Sequence, residues 1–207
     1  MSEEPLNRKQ ILEQISKIIV ILGGISEFIY QRLCRQCDDL EEDELVALRK
    51  KAFQNFKGLI ERYTFFKILP RDNLGIKGQA AVSYMFRIQH ALGEVLIMID
   101  MLGEESFGDI YMDSFTSISS KVIEQFNVLK KLVDVRDKNS EDGKDELDLI
   151  VKLEREIDED NIVICRQISV KTGNESDFTC YMMRKIVAEL EHISDYIKEC
   201  AEIIADI

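Results

Sequence analysis

Two places in the chain set a pair of carboxylates one helical turn apart. Glu191 and Asp195 lie within Leu190-Glu191-His192-Ile193-Ser194-Asp195, and Glu154 and Asp158 within Leu153-Glu154-Arg155-Glu156-Ile157-Asp158. On a helix, residues four apart share a face, with Cβ atoms about 5–6 Å apart. Two acids held that close repel each other unless water solvates them or a cation sits between them. Each pair is therefore either part of a solvated face, the commoner fate of charged runs on helices, or half of a hard-oxygen site. Four carboxylates meeting between two helices would suit Mg²⁺, Ca²⁺, Mn²⁺, Fe or Zn²⁺.

The elements that must position these acids are helices. From Ser176 to Ile207, apolar residues fall at Met183, Ile186, Leu190, Ile193, Ile197, Cys200 and Ile204, in steps of three and four with no Pro or Gly between them. That is the seam of one helix face. Ser176 or Asp177 can cap its start. A preceding helix from about Asp145 to Val170 turns Ile150, Leu153, Ile157, Ile164 and Ile168 inward. The short turn Thr172-Gly173-Asn174 between them makes the two helices antiparallel neighbours. Glu154 lies 19 residues before Gly173 and Glu191 lies 18 after it, while Asp158 is 15 before and Asp195 is 22 after. The two pairs therefore meet at similar heights.

The remaining chain repeats this pattern. Asn7 can cap a helix running to about Cys37, with Ile11, Ile15, Ile18, Ile19, Leu22, Ile25 and Ile29 on its inner face. Gly23-Gly24 interrupts it, as a kink or a close backbone approach. The acidic break Asp38–Asp43 leads into a helix from about Glu42 to Lys67, with Leu45, Leu48, Ala52, Phe56, Leu59, Tyr63 and Phe66 as its stripe. Leu69–Gly75 reads as a loop. A helix from about Lys77 to Leu102 follows, with Met85, Ile88, Leu92, Leu96 and Ile99 inward. After the break at Gly103–Gly108, a fourth helix from about Asp109 to Arg136 turns Ile118, Val122, Phe126, Leu129 and Val133 inward. The polar stretch Asp137–Gly143 separates it from the acid-bearing pair. Six long helices in two sets of three point to an internal duplication, with repeat one at about 7–102 and repeat two at about 109–206. The fold class is all-α: one domain over 1–207, an elongated bundle of six long antiparallel helices, each roughly 40 Å long.

Bulk composition narrows the function. The 207 residues carry a formal net charge of -12. Nucleic acid binding needs Lys and Arg to release counterions, and adhesion to anionic lipid needs them too, so both are disfavoured. The apolar content of 45% supports a folded core. No apolar run approaches the roughly 18–20 residues that span a bilayer, and MSEEPLNRKQ lacks the cationic head and apolar core of a signal peptide. Five Cys without framework spacing read as free thiols, so the expected location is cytoplasmic.

The acidic motifs carry a family resemblance. Leu190-Glu191-His192-Ile193-Ser194-Asp195 resembles the L-E-R-I-x-D signature of PhoU-like phosphate-transport regulators, and Leu153–Asp158 looks like the acidic signature of their preceding helix. The length is similar to the smaller branch associated with inorganic phosphate permeases. The helical layout matches across nearly the whole chain, while the specific motifs match only within 150–205. The resemblance implies an all-helical cytoplasmic regulator of phosphate uptake that acts by binding a membrane phosphate transporter or its signalling partner. Homo-oligomers fit this picture; direct membrane insertion and nucleic acid binding do not. It also implies a metal site, nominating Glu154, Asp158, Glu191 and Asp195 as ligands for Fe, Zn, Mn or Mg.

The first repeat departs from that pattern. Phe86-Arg87-Ile88-Gln89-His90 places Phe and His where acids are expected, and Leu48-Arg49-Lys50-Lys51-Ala52-Phe53 is basic. A full second site is therefore not expected, although His90 and Glu94 stand one turn apart. Cys34-Arg35-Gln36-Cys37 lacks the second Cys/His pair of a zinc module. Glu189 and His192 form one Glu-x-x-His, where a di-iron bundle needs two. No phosphate-cradling loop, nucleophile elbow or nucleophile–base pair occurs, so the chain is not expected to be an enzyme. Two alternatives remain: a metal-free interaction or scaffold protein of the same fold, and a metal-dependent enzyme using the same four acids.

Overall fold

The computed structural model describes residues 5–34, 69–102, 109–138, 143–171 and 177–207, together with positions 44, 46, 47, 50, 51 and 54. Five helices occupy this set: α1 (Arg8–Leu33), α2 (Asn73–Leu102), α3 (Asp109–Asp137), α4 (Lys144–Lys171) and α5 (Phe178–Ala205). The architecture is all-α, and no strand occurs among the described residues. Among the described residues, five long helices stand where six were expected of the whole chain. The expected helix from Glu42 to Lys67, with its stripe of Leu45, Leu48, Ala52, Phe56, Leu59, Tyr63 and Phe66, lies outside the described residues apart from six helical positions within it.

Local chemistry sets the helix starts. The Asn7 side chain accepts from the Gln10 backbone N–H, and the Gln10 side chain accepts from Asn7 N–H, a reciprocal capping box. Asp177 caps α5 through Cys180 N–H at 2.7 Å. α2 begins at Asn73, a turn earlier than its apolar stripe indicates. Asp72 Oδ1 accepts from Gly75 N–H and Asp72 O accepts from Ile76 N–H, so a cap lies inside what reads as a loop. Gly75 is required there: a Cβ at that position would stand 1.8 Å from Pro70 O. α1, in contrast, runs unbroken through Gly23-Gly24 to Leu33. A Cβ at Gly23 would meet Phe126 at an ordinary 3.7 Å, and one at Gly24 would meet nothing within 4 Å. The glycine pair does not end the helix, and neither position is a forced close approach.

Cross-helix contacts set the directions. The Arg8 guanidinium donates to Arg136 O at 2.6 Å and to Ile207 O at 2.8 Å, tying the start of α1 to the C-terminal ends of α3 and α5. Cys34 meets Thr116 at the opposite end, so α1 and α3 are antiparallel. Arg32 pairs with Asp100 at 3.0 Å near the ends of α1 and α2, which run parallel. Lys77 reaches Asp206 O, and Tyr84 donates to Glu199, so α2 and α5 are antiparallel. Lys121–Asp160 and Gln125–Ile150 contacts orient α3 against α4, and Arg184–Ser169 and Lys198–Glu154 orient α4 against α5.

α1, α2, α5 and α3 close a four-helix ring, and α4 lies in the groove between α3 and α5. One continuous core joins all five helices. Every residue assigned above to the inner faces of these five helices is buried, from Ile11 on α1 to Ile204 on α5. No helix among the described residues is long and apolar enough to cross a membrane.

Candidate metal centre

Leu153 and Ile157 of α4 and Leu190, Ile193 and Ile197 of α5 are buried, which turns the adjoining acids toward the seam between the two helices. Glu154, Asp158 and Asp195 each bring a carboxylate oxygen within 4.8 Å of the other two. Glu191, the fourth nominated residue, stands outside that group. Glu154 is only 7% exposed. The expected match in height between the two acid pairs therefore brings three of the four together.

The other acids of the same run turn elsewhere. Lys121 of α3 lies 2.9 Å from Asp160 and 3.6 Å from Glu156, and Ser117 also donates to Asp160. Glu156 is shared with Lys152 one turn earlier. The acidic stretch 154–160 thus splits by helical face: Glu156 and Asp160 neutralise α3, while Glu154 and Asp158 face α5.

One group not anticipated from the motifs is Lys198, whose Nζ lies 2.6 Å from Glu154 Oε1. Its signal was present in the sequence, because Lys198 follows Asp195 by three residues and shares its face. The ammonium neutralises only part of the cluster. Asp158 Oδ1 is buried with no hydrogen-bond partner. Burial first, and then the Glu154 charge, push the Asp158 carboxyl above the usual range, against the pull of Lys198. Asp195 is raised by burial, then by Asp158 and Glu154, with Lys198 and His192 opposing. Glu191 is raised by burial and by Asp195, with smaller effects from Asp158 and Glu154, so it feels the cluster without joining it. Lys198 is held above its ordinary value mainly by its hydrogen bond to Glu154.

This donor set fits a hard cation. All three groups are carboxylates, they come from two helices, and one buried oxygen lacks any partner. A bound cation would be held by Glu154, Asp158 and Asp195, would relieve their mutual repulsion and would cross-link α4 to α5.

The weaker candidates have plain positions. His90 is exposed on α2, and among the described residues neither it nor Glu94 belongs to a group of three candidate ligands. The basic stretch Leu48–Phe53 lies outside the described residues except for the exposed Lys50 and Lys51. His192 Nδ1 sits 3.5 Å from Glu189 Oε2 on its own helix. Cys34, Cys165, Cys180 and Cys200 are free thiols, and Cys37 lies outside the described residues.

The fold and site together define a helical bundle with an acidic, partly neutralised seam between two antiparallel helices. Searches of protein-family models, curated proteins and solved structures find no match to this chain.

Proposed function

We propose that the protein is a cytoplasmic, PhoU-like accessory protein that regulates phosphate transport by binding a membrane transporter or its signalling partner, with a carboxylate metal site between α4 and α5. The observation that carries the metal part is the convergence of Glu154, Asp158 and Asp195 within 4.8 Å around an unpartnered buried oxygen. The regulatory part rests on the resemblance of the two acidic motifs. The proposed duplication has support in the packing: α1 pairs with α3 and α2 with α5, while α1 with α2 mirrors α3 with α5. Such an exchange of neighbours is what two related three-helix units produce. The action is binding: docking shifts a transporter between states for which the protein has different affinity.

Elemental analysis of protein purified without added metal or a metal-affinity tag tests the site. The expected result is stoichiometric Fe, Zn, Mn or Mg in the wild type and its loss in Asp158→Asn/Asp195→Asn. Phosphate uptake should change when the protein is deleted or overproduced; unchanged uptake in both cases would remove the regulatory reading.

A second reading is favoured by the 2.6 Å Lys198–Glu154 ion pair. An internal ammonium already seated among the acids suits a metal-free interaction protein of the same fold. Metal-free wild type whose partner binding survives the double substitution would select it.

A further inference from the structure

The chain between α1 and α2 has a fixed distance to cover. Arg32 pairs with Asp100, so the end of α1 stands beside the end of α2. α2 begins at Asn73, and from there to Asp100 is about 40 Å at 1.5 Å per residue. The chain leaving Leu33 must therefore return the length of the bundle before it reaches Asn73. In the second half the same return is made by α4, which joins the parallel helices α3 and α5 and lies in the groove between them.

The described positions on the first return show which way it faces. Glu44, Val46, Ala47, Lys50, Lys51 and Gln54 are helical and exposed. With 3.6 residues per turn, these six fall on one half of the helix circumference. Leu45, Leu48 and Ala52, the first residues of the apolar stripe read from the sequence, fall on the other half. An apolar helix face needs cover.

α1 and α2 offer a matching surface. Val20, Phe28 and Arg32 follow one ridge of α1 in multiples of four residues, and that ridge ends at the ion pair with Asp100. Phe86, Ile97 and Asp100 share a face of α2. Val20 is 54% exposed, Phe86 42% and Ile97 48%, so large apolar side chains stand half-uncovered on both sides of the α1–α2 groove. The seam between α2 and α5 is different in kind. Arg87 bridges it over the rings of Tyr84 and Tyr196, at 5.2 and 5.7 Å, and Tyr84 donates to Glu199. The α3–α5 groove holds α4.

We propose that the groove between α1 and α2 is the internal docking site for the apolar stripe of residues 42–67, so that each half of the chain buries its own return segment between two parallel helices. The inference goes beyond the regulatory reading and is independent of any metal. It removes this groove from the surface open to a partner and turns Lys50 and Lys51 outward.

Hydrogen exchange of the full-length protein, read by mass spectrometry beside light scattering, tests it. Amides of residues 44–63 should be protected in the monomer. Val20→Lys/Ile97→Lys sets two charges in the groove and should speed exchange in that segment about tenfold or more. Tm should fall by about 4–8 °C. Val163→Lys, from a similar 49% exposure on α4, should leave both readouts at their wild-type values. A double variant that exchanges and melts like Val163→Lys overturns the proposal. Unprotected amides over 44–63 in the wild type also overturn it. Protection found only in a dimer and lost on dilution overturns it as well, because the occupant is then a second copy. Should the double variant fail to fold, Val20→Lys alone decides by the same exchange comparison.

Discussion

Asp158 is one of three carboxyls on which the acidic seam bears. Its carboxyl, with those of Glu191 and Asp195, is raised above the ordinary range, foremost by burial and then by neighbouring negative charge. A carboxyl whose folded value lies above its unfolded value contributes stability that is fully present below the unfolded value. That stability is lost as pH rises through the folded value. Metal-free protein should therefore melt progressively lower as pH rises from about 4, the ordinary carboxyl range, toward about pH 8. The net charge of -12 pushes in the same direction, so the diagnostic quantity is the slope. Asp158→Asn should flatten that slope and raise Tm at about pH 8 by about 2–4 °C, the equivalent of roughly 1 kcal/mol in a chain of this size. Scanning calorimetry across this range checks it. A wild-type slope matched by the variant would show that the seam carries no pH-dependent strain.

Helix ends and helix interiors make separate contributions. Arg8 closes one end of the bundle by donating to Arg136 O in the last turn of α3 and to Ile207 O just past the end of α5. The Arg136 carbonyl is in the last turn of α3, where carbonyls lack intrahelical partners and carry the negative end of the helix dipole, and Ile207 lies two residues past the end of α5, so a guanidinium fork suits the pair. Arg8→Ala should cost about 1–2 kcal/mol, in the range of charge-assisted hydrogen bonds at a partly exposed site, and Arg8→Lys somewhat less. Gly24 offers the reverse test. It lies inside an unbroken helix with open space where a Cβ would go. Gly24→Ala should stabilise by about 0.5–1 kcal/mol through helix propensity alone. Urea unfolding of the two variants measures both changes, and a destabilised Gly24→Ala would show that the glycine is needed for a partner outside the described residues.

At the scale of the whole molecule, α3 and α5 each touch three other helices, and α5 also carries two of the four nominated acids. Metal at the seam would couple α4 to α5 and hence to the ring, since α4 has no direct place in the four-helix ring itself. The paired tests of metal content and phosphate uptake belong to this scale. A site that stabilises the bundle without changing uptake would separate architecture from regulation.

The sequence by itself determined the periodic faces. Stripes on α1 to α5, the caps at Asn7 and Asp177, and the antiparallel α4–α5 pair all follow from local spacing and turn chemistry, and all appear in the structure. Local rules failed at two places. The Asp72 side chain caps α2 inside an apparent loop, and Gly23-Gly24, which reads as an interruption, does not break α1. Residue spacing also carried the four acids to similar heights on two helices. Only tertiary structure decided that Glu154, Asp158 and Asp195 converge while Glu191 stays outside, and that Lys198 occupies the seam. The physical reason is reach. A helical repeat specifies which face a residue shares, but the distance between charges on two helices depends on their rotation, their spacing and the side-chain rotamers. Packing of the entire core sets those quantities.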